Sequence, residues 1–126
     1  LQVDIEEGLF IRADREEIRR VYTNLISNAI KYNRDKGDID VIASRTGPFL
    51  SLRVRDTGIG MKEEDKERLF EEFYRAKNRY TRQISGTGLG TTILKKIVDE
   101  YGGKILVESE YEKGSVFTVQ LPLAEI

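Results

Sequence analysis

The sequence predicts an α+β fold, a two-layer α/β sandwich in which a mixed, mostly antiparallel sheet packs on helices. Three observations lead there. Runs with strand-like alternation come in pairs, and turn residues join the members of each pair. Two longer stretches, near residues 14–33 and 89–101, instead repeat their apolar positions at three- and four-residue steps, as helices do. Strand pairs and helices therefore follow one another along the chain, an order that does not suit the strict strand–helix alternation of a doubly wound parallel sheet.

Val3 and Ile5, then Leu9, Ile11 and Ala13, alternate with polar positions about Glu7-Gly8, which predicts two short edge strands and a tight turn. Asp14 stands three residues before Glu17, the spacing of a capping box, and starts the first helix. Ile18, Val21, Tyr22, Leu25, Ile26, Ala29 and Ile30 form its apolar stripe, and its end is expected among Asn33 to Gly37. At about 100° per residue, Asn24, Asn28 and Lys31 share a band roughly 60° wide along one edge of that stripe. Asn is a poor interior helix residue because its amide competes for backbone hydrogen bonds. Two of them one turn apart either cap neighbouring loops or meet a ligand.

Ile39, Val41 and Ala43 predict a strand, Thr46-Gly47-Pro48 a turn, and Leu50 to Arg55 the antiparallel partner. With Leu50, Leu52 and Val54 on the buried face and Ser51, Arg53 and Arg55 in water, continuing the pleat points Asp56 inward. A buried carboxylate needs hydrogen-bond partners. Thr57-Gly58-Ile59-Gly60 offers either turn amides for it or a backbone that a ligand can approach closely. Lys62 to Phe73 predicts a short helix that buries Leu69, Phe70 and Phe73. From Tyr74 to Ser85 the period is lost, and Arg75, Lys77, Arg79 and Arg82 interleave with Tyr74 and Tyr80. Such a short basic stretch in a near-neutral chain fits a mobile loop over an anionic ligand better than a nucleic-acid surface.

Ser85-Gly86-Thr87-Gly88-Leu89-Gly90 opens the next helix, whose apolar positions are Leu89, Ile93, Leu94, Ile97, Val98 and Tyr101 and which Gly102-Gly103 ends. Glycines at a helix start leave amide N–H groups free at the positive end of the dipole, a seat for phosphate. Neither the Walker loop nor the dinucleotide fingerprint is complete there. Ile105 and Val107, then Phe117, Val119 and Leu121, predict two closing strands around Glu112-Lys113-Gly114-Ser115.

The 126 residues suit one domain spanning 1–126, and a net charge of −1 from many charges of both signs gives no basic field for nucleic acid. Cysteine and histidine are both absent, which removes disulfides, thiolate and imidazole metal ligands, and any histidine base or phosphate acceptor within the chain. No apolar run approaches the ~20 residues of a membrane span and no signal-peptide pattern opens the chain, so a soluble cytoplasmic domain is expected. Without an initiating Met, the sequence is expected to be part of a longer protein.

Four motifs then stand in one order. Asn24-Leu-Ile-Ser-Asn28-Ala-Ile-Lys31-Tyr32 resembles an N box, Asp56-Thr-Gly58-Ile-Gly60 a first glycine box, Phe70-Glu-Glu-Phe73 an F box, and Gly86-Thr-Gly88-Leu-Gly90 a second glycine box. Each alone is weak, but over nearly the whole chain the ordered set resembles the catalytic and ATP-binding domain of a sensor histidine kinase. That domain belongs to the GHKL superfamily shared with gyrase-type topoisomerases, heat-shock chaperone ATPases and mismatch-repair ATPases. The resemblance implies the Bergerat fold, with ATP held between the helices beneath a flexible lid.

The resemblance also implies roles. Asp56 would accept from the adenine amino group, with Gly58 beside it and Gly60 letting the base near the backbone. Asn28 would place its oxygen on Mg²⁺, Lys31 would meet phosphate as a point charge with Asn24 and Tyr32 nearby, and Gly86, Thr87, Gly88 and Gly90 would seat the phosphates. Arg75 would reach the γ-phosphate from the lid base, and Ile59, Leu89 and Phe117 would flank the adenine, although core packing is the stronger account of these three. The hydrolases of the superfamily carry a Glu at the place of Asn24, and an amide cannot take a proton from water. Phosphoryl transfer, with ADP as product, is therefore implied rather than hydrolysis.

The acceptor histidine would lie on a dimerisation domain of the same parent protein, which passes the phosphoryl group to a response regulator receiver domain. The fragment itself is expected to be monomeric, to bind ATP and not to phosphorylate itself, within a homodimeric parent. Asn33, where such kinases usually carry Ser or Thr, and Thr91, in place of the common Leu, depart from the pattern. An anti-sigma-type serine protein kinase and a non-catalytic nucleotide-binding docking module are the alternative readings.

Overall fold

The computed structural model describes residues 2–70 and 90–124. Its sheet is organised by two antiparallel hairpins. In the first, β2 (Ile39–Thr46) turns at Gly47 and Pro48 into β3 (Phe49–Asp56), with Val41 opposite Val54 and Ile39 opposite Asp56. In the second, β4 (Lys104–Glu110) turns into β5 (Gly114–Pro122), with Val107 opposite Phe117. The hairpins join through β3 and β5, where Val54 faces Phe117 and Asp56 faces Ser115. β1 (Gln2–Ile5) completes a five-stranded sheet of order β1-β2-β3-β5-β4.

β1 pairs with β2 in parallel, which makes the sheet mixed. The expected partner at residues 9–13 is not a strand. That stretch instead reaches the other end of the chain, where the Phe10 carbonyl accepts from Ala124 N–H at 2.7 Å. The helix that follows provides the crossover that two parallel neighbours require.

That helix is α1 (Arg15–Lys31), and α3 (Gly90–Glu100) lies beside it on the same layer, α1 crossing β3 and α3 resting on β4 and β5. Val21, Leu25 and Ala29 of α1, Leu94, Ile97 and Val98 of α3, and Val41, Val54, Val119 and Leu121 of the sheet form one core. Each fully buried aliphatic side chain contributes about 1.5–3 kcal/mol. The buried stripe of α1 is narrower than the sequence pattern, since Tyr22 and Ile30 stand 41% and 62% exposed. The helix also stops at Lys31, capped by Tyr32, a little before the expected end. Among the described residues between β3 and α3, only α2 (Glu63–Glu67) is helical, and it turns off at Arg68. Leu69 and Phe70 are half-buried, whereas Phe73 lies outside the described residues, as does the whole stretch assigned above to a lid.

Ser51 was expected in water and is buried, because it sits on the central strand between Ser44 and Gln120 and bonds the Thr46 hydroxyl at 2.9 Å. The N-terminus of α1 also differs in one respect from a simple capping box. Asp14 Oδ1 accepts from the Glu16 and Glu17 amides as expected. The return leg from Glu17 passes through a third residue, the Tyr101 hydroxyl just beyond α3, which accepts from Asp14 N–H at 3.0 Å and lies 2.9 Å from Glu17 Oε1, its acceptor. One phenol thereby ties the end of α3 to the start of α1. Replacing it with Phe removes both bonds, so Tyr101→Phe is expected to lower the urea unfolding midpoint. A urea unfolding midpoint equal to that of the wild type would contradict this account of the helix pair.

Candidate functional site

The inward pleat of β3 ends at Asp56, 8% exposed. Asp56 Oδ1 accepts from Gly58 N–H at 2.9 Å, and the Ser115 backbone supplies a second hydrogen bond. No cation is recorded as a partner for it among the described residues. Burial pushes the Asp56 carboxyl up from its ordinary value, and the two backbone hydrogen bonds pull the other way. A carboxylate has about four acceptor positions, and two backbone donors leave room for a ligand N–H.

The loop after Asp56 is held on three sides. Towards β2, Thr57 N–H donates to the Asp38 carbonyl at 3.2 Å while Asp38 N–H donates to Thr57 Oγ1 at 2.8 Å. Towards α1, Ile59 N–H donates to the Tyr32 carbonyl at 3.0 Å. Towards the β4–β5 turn, Glu112 N–H donates to the Ile59 carbonyl at 2.6 Å, and Met61 N–H donates to Ser109 Oγ at 2.8 Å. Ser109 Oγ lies 3.1 Å from the Gly114 carbonyl and 2.8 Å from Ser115 Oγ. With a single proton to give, Ser109 donates to Gly114 and accepts from Ser115.

Two glycines make this mounting possible. A Cβ on Gly58 would run into the Tyr32 carbonyl and the Asn33 backbone, and one on Gly60, which has φ +64°, into the Glu110 carbonyl. The bareness of both residues thus serves the seating of the loop on α1 and on the hairpin.

Asn24, Asn28 and Lys31 are all half-buried on α1, along the edge where the sequence places them. Neither Asn amide has a side-chain hydrogen-bond partner among the described residues, so neither caps a described loop, while the Lys31 ammonium rests 5.5 Å from the Tyr32 ring centroid. Two amides and an ammonium in this state suit an anionic ligand with a hard, water-rich cation. Ile59 is buried, with both of its backbone polar groups bonded. Phe117 packs partly buried against the core and opposite Val54, so core packing accounts for its placement. Gly90 opens α3, and Thr92 Oγ1 reaches the Phe70 carbonyl at 3.3 Å, joining the two ends of the described chain across residues 71–89. Arg75, Gly86, Thr87, Gly88 and Leu89 lie outside the described residues.

Sequence reasoning missed Arg34. Its Nη2 donates to the Gly58 carbonyl at 3.1 Å and to the Glu112 carbonyl at 2.5 Å. It carried no local signal, because its two acceptors lie 24 and 78 residues further along the chain.

Comparison with known proteins agrees with this geometry. The sequence pattern of the family described as "Histidine kinase-, DNA gyrase B-, and HSP90-like ATPase" matches residues 13–125. Among curated relatives, the Bacillus subtilis (strain 168) sensor histidine kinase YkoH is 43% identical over 91% of this chain. The Synechococcus elongatus circadian input-output histidine kinase CikA is 39% identical over 97% of it. The chain spans only 25% and 16% of the lengths of these two relatives. Among solved structures, the catalytic domain of histidine kinase ThkA superposes with a TM-score of 0.78 at 34% identity, covering 96% of this chain and 78% of that one. The mycobacterial sensor histidine kinase MprB gives 0.85 at 25% identity, over 99% and 84%.

The folded state holds the Asp56 proton more tightly than the unfolded chain, whose value is near 3.8. The resulting stability is fully present below that value and is lost as pH rises through the higher folded-state value. Wild type is therefore expected to lose stability relative to Asp56→Asn as pH rises above the unfolded-chain value of 3.8. Urea midpoints of the two proteins that stay parallel over that rise would show the carboxyl to be unperturbed.

Proposed function

The chain belongs to the histidine kinase-, DNA gyrase B- and HSP90-like ATPase family, and from that premise we propose that it binds Mg-ATP and donates the γ-phosphoryl group to a histidine on the dimerisation domain of a longer sensor kinase. Asp56 carries this reading: a carboxylate 8% exposed, partnered by backbone amides and with acceptor capacity to spare, at the site where the family resemblance puts the adenine amino group. The half-buried amides of Asn24 and Asn28 and the Lys31 ammonium support it on the phosphate side.

The roles follow from what each group can do. Asp56 would fix the base by accepting from its amino group, next to Gly58, Ile59 and Gly60, with Leu89 and Phe117 contributing apolar contact. Asn28 would hold Mg²⁺ through its amide oxygen. The metal, when bound, neutralises charge on the phosphates. Lys31 would move off the Tyr32 ring to meet phosphate as a point charge, beside Asn24, and Arg75 would add a second cation at the γ-position. Gly86, Thr87, Gly88 and Gly90 would offer backbone N–H groups at the start of α3. Catalysis by this chain is then positioning and charge stabilisation.

An amide at Asn24 takes no proton, so activation of the nucleophile falls to the acceptor's own surroundings. The chain holds no histidine, which places the acceptor on another part of the parent. The curated relatives are sensor histidine kinases several times longer than this chain, which supports a parent with room for the dimerisation domain; a homodimeric parent, a response regulator receiver domain as the onward acceptor and a cytoplasmic location for this domain complete the proposal.

Calorimetric titration with ADP in the presence of Mg²⁺ is expected to show saturable binding that Asp56→Asn weakens about 10- to 100-fold, the effect of one lost charge-assisted hydrogen bond of about 1.5–3 kcal/mol. Joined to its dimerisation domain, the wild type should then yield an acid-labile phosphohistidine. Acid-stable product would instead indicate a serine acceptor, and binding without transfer a docking module. Equal ADP affinity for wild type and variant would sink the adenine assignment.

A further inference from the structure

The residue that aims Asp56 is held on both sides of its α-carbon. Gly58 N–H donates to Asp56 Oδ1 at 2.9 Å, and the carbonyl of the same residue accepts from Arg34 at 3.1 Å. Arg34 is simultaneously anchored on the Glu112 carbonyl at 2.5 Å, in the turn whose amide holds the Ile59 carbonyl at 2.6 Å. One guanidinium therefore bridges three pieces of chain that are remote in sequence: the segment after α1, the loop after β3 and the β4–β5 turn. Glycine at 58 gives its two backbone dihedrals wide freedom, and the Gly58 carbonyl has no second partner among the described residues, while the N–H of the peptide it belongs to, that of Ile59, is held by the Tyr32 carbonyl at 3.0 Å. Removing the guanidinium leaves the Gly58–Ile59 peptide tied through Ile59 N–H alone, which loosens the dihedrals of Gly58 and lets its own N–H, in the preceding peptide, shift off Asp56 Oδ1. A carboxylate that loses its fixed partner can rotate or take a proton. It then no longer presents a single acceptor oxygen in one direction.

We propose that Arg34 is a positioning residue for nucleotide selection: by clamping the Gly58 and Glu112 carbonyls it fixes the backbone of the glycine whose N–H orients Asp56, so that the site prefers a 6-amino purine to its 6-keto counterpart. This rests on the ATP reading above, because the preference exists only if Asp56 faces the base. Arg34 touches neither base nor phosphate in this scheme. It acts through Gly58. A charged donor makes the stronger kind of hydrogen bond, and both bonds come from a single nitrogen, so a lysine ammonium, which also carries several protons on one nitrogen, replaces part of the function where its shorter reach allows.

The test compares adenosine and inosine diphosphates, which differ at the 6-position, by calorimetric titration in Mg²⁺ with wild type, Arg34→Ala and Arg34→Lys, each shown to be folded by its urea transition. Wild type is expected to prefer the adenine nucleotide by about 10- to 100-fold. Arg34→Ala should weaken adenosine diphosphate by about tenfold while leaving inosine diphosphate nearly unchanged, collapsing the ratio. Arg34→Lys should recover part of it.

A variant that weakens both nucleotides by the same factor, or that fails to fold while Arg34→Lys keeps the full wild-type ratio, overturns the proposal, because a merely structural role leaves the ratio intact. A wild type that binds both equally overturns base selection but keeps the ATP reading. A folded wild type that binds neither removes the ATP reading, and this proposal falls with it.

Discussion

The burial of Asp56 is the constraint from which the rest of the site follows. An ionised carboxylate taken from water without partners costs more than a domain of this size can spare. Here the partners are backbone N–H groups, from Gly58 and from Ser115 on the adjoining strand. Backbone donors can be aimed only by fixing the backbone. The loop is accordingly bonded to β2 through Thr57, to α1 through Ile59 and to the second hairpin through Ile59 and Met61. Close packing at Gly58 and Gly60 is a consequence of that fixing, since each presses its α-carbon against another segment's carbonyl.

α1 is the strut against which this is done, and it is secured at both ends by groups from far along the chain. At its start the Tyr101 hydroxyl links Asp14 and Glu17 to the end of α3. At its finish the Tyr32 carbonyl and the Arg34 side chain take hold of the loop after β3. Between those ties, Val21, Leu25 and Ala29 press the helix onto the sheet, leaving Asn24, Asn28 and Lys31 along one flank. The amide flank and the carboxylate therefore belong to one rigid unit. A ligand that engages both needs little reorganisation of the protein, which is where affinity is commonly lost.

How much of this the sequence revealed depends on the range of the interaction. Period-two alternation along β3 and period 3.6 along α1 are local, and they located Asp56 on the inward face and the two Asn residues on one helix edge without any tertiary knowledge. The order of the motifs then disclosed the fold as a resemblance. Long-range partners left no such trace. Arg34 is one charge among many in the turn after α1, Tyr101 reads as one more apolar position of α3, and Ser109 reads as a polar residue of an edge strand. Their acceptors and donors are set only once the strands have found their register. The parallel pairing of β1 and the burial of Ser51 were lost for the same reason, since both follow from which strand lies next door. The exposure of Tyr22 and Ile30 marks the opposite error, apolar residues in helical phase that the sheet does not extend far enough to cover.

The chemistry of the α1 flank also limits what the site can do by itself. Asn24 and Asn28 present dipoles that neither gain nor lose a proton, and the chain holds no imidazole or thiol. Such a surface can hold phosphate and its cation and can stabilise charge that moves between oxygens, but it has nothing with which to deprotonate a nucleophile. The carboxyl of Asp56 is already engaged with Gly58 and Ser115 and, on the proposed reading, would lie at the adenine end, away from the phosphates. Under the proposed function, a flank of amides with no base of its own among the described residues would be poorly suited to split ATP with water and well suited to present it to a second protein surface that brings its own nucleophile. Physically, that division would keep a loaded site from discharging until the acceptor arrives, and on the proposed reading an amide at Asn24 would bear on function as much as any residue that touches the ligand.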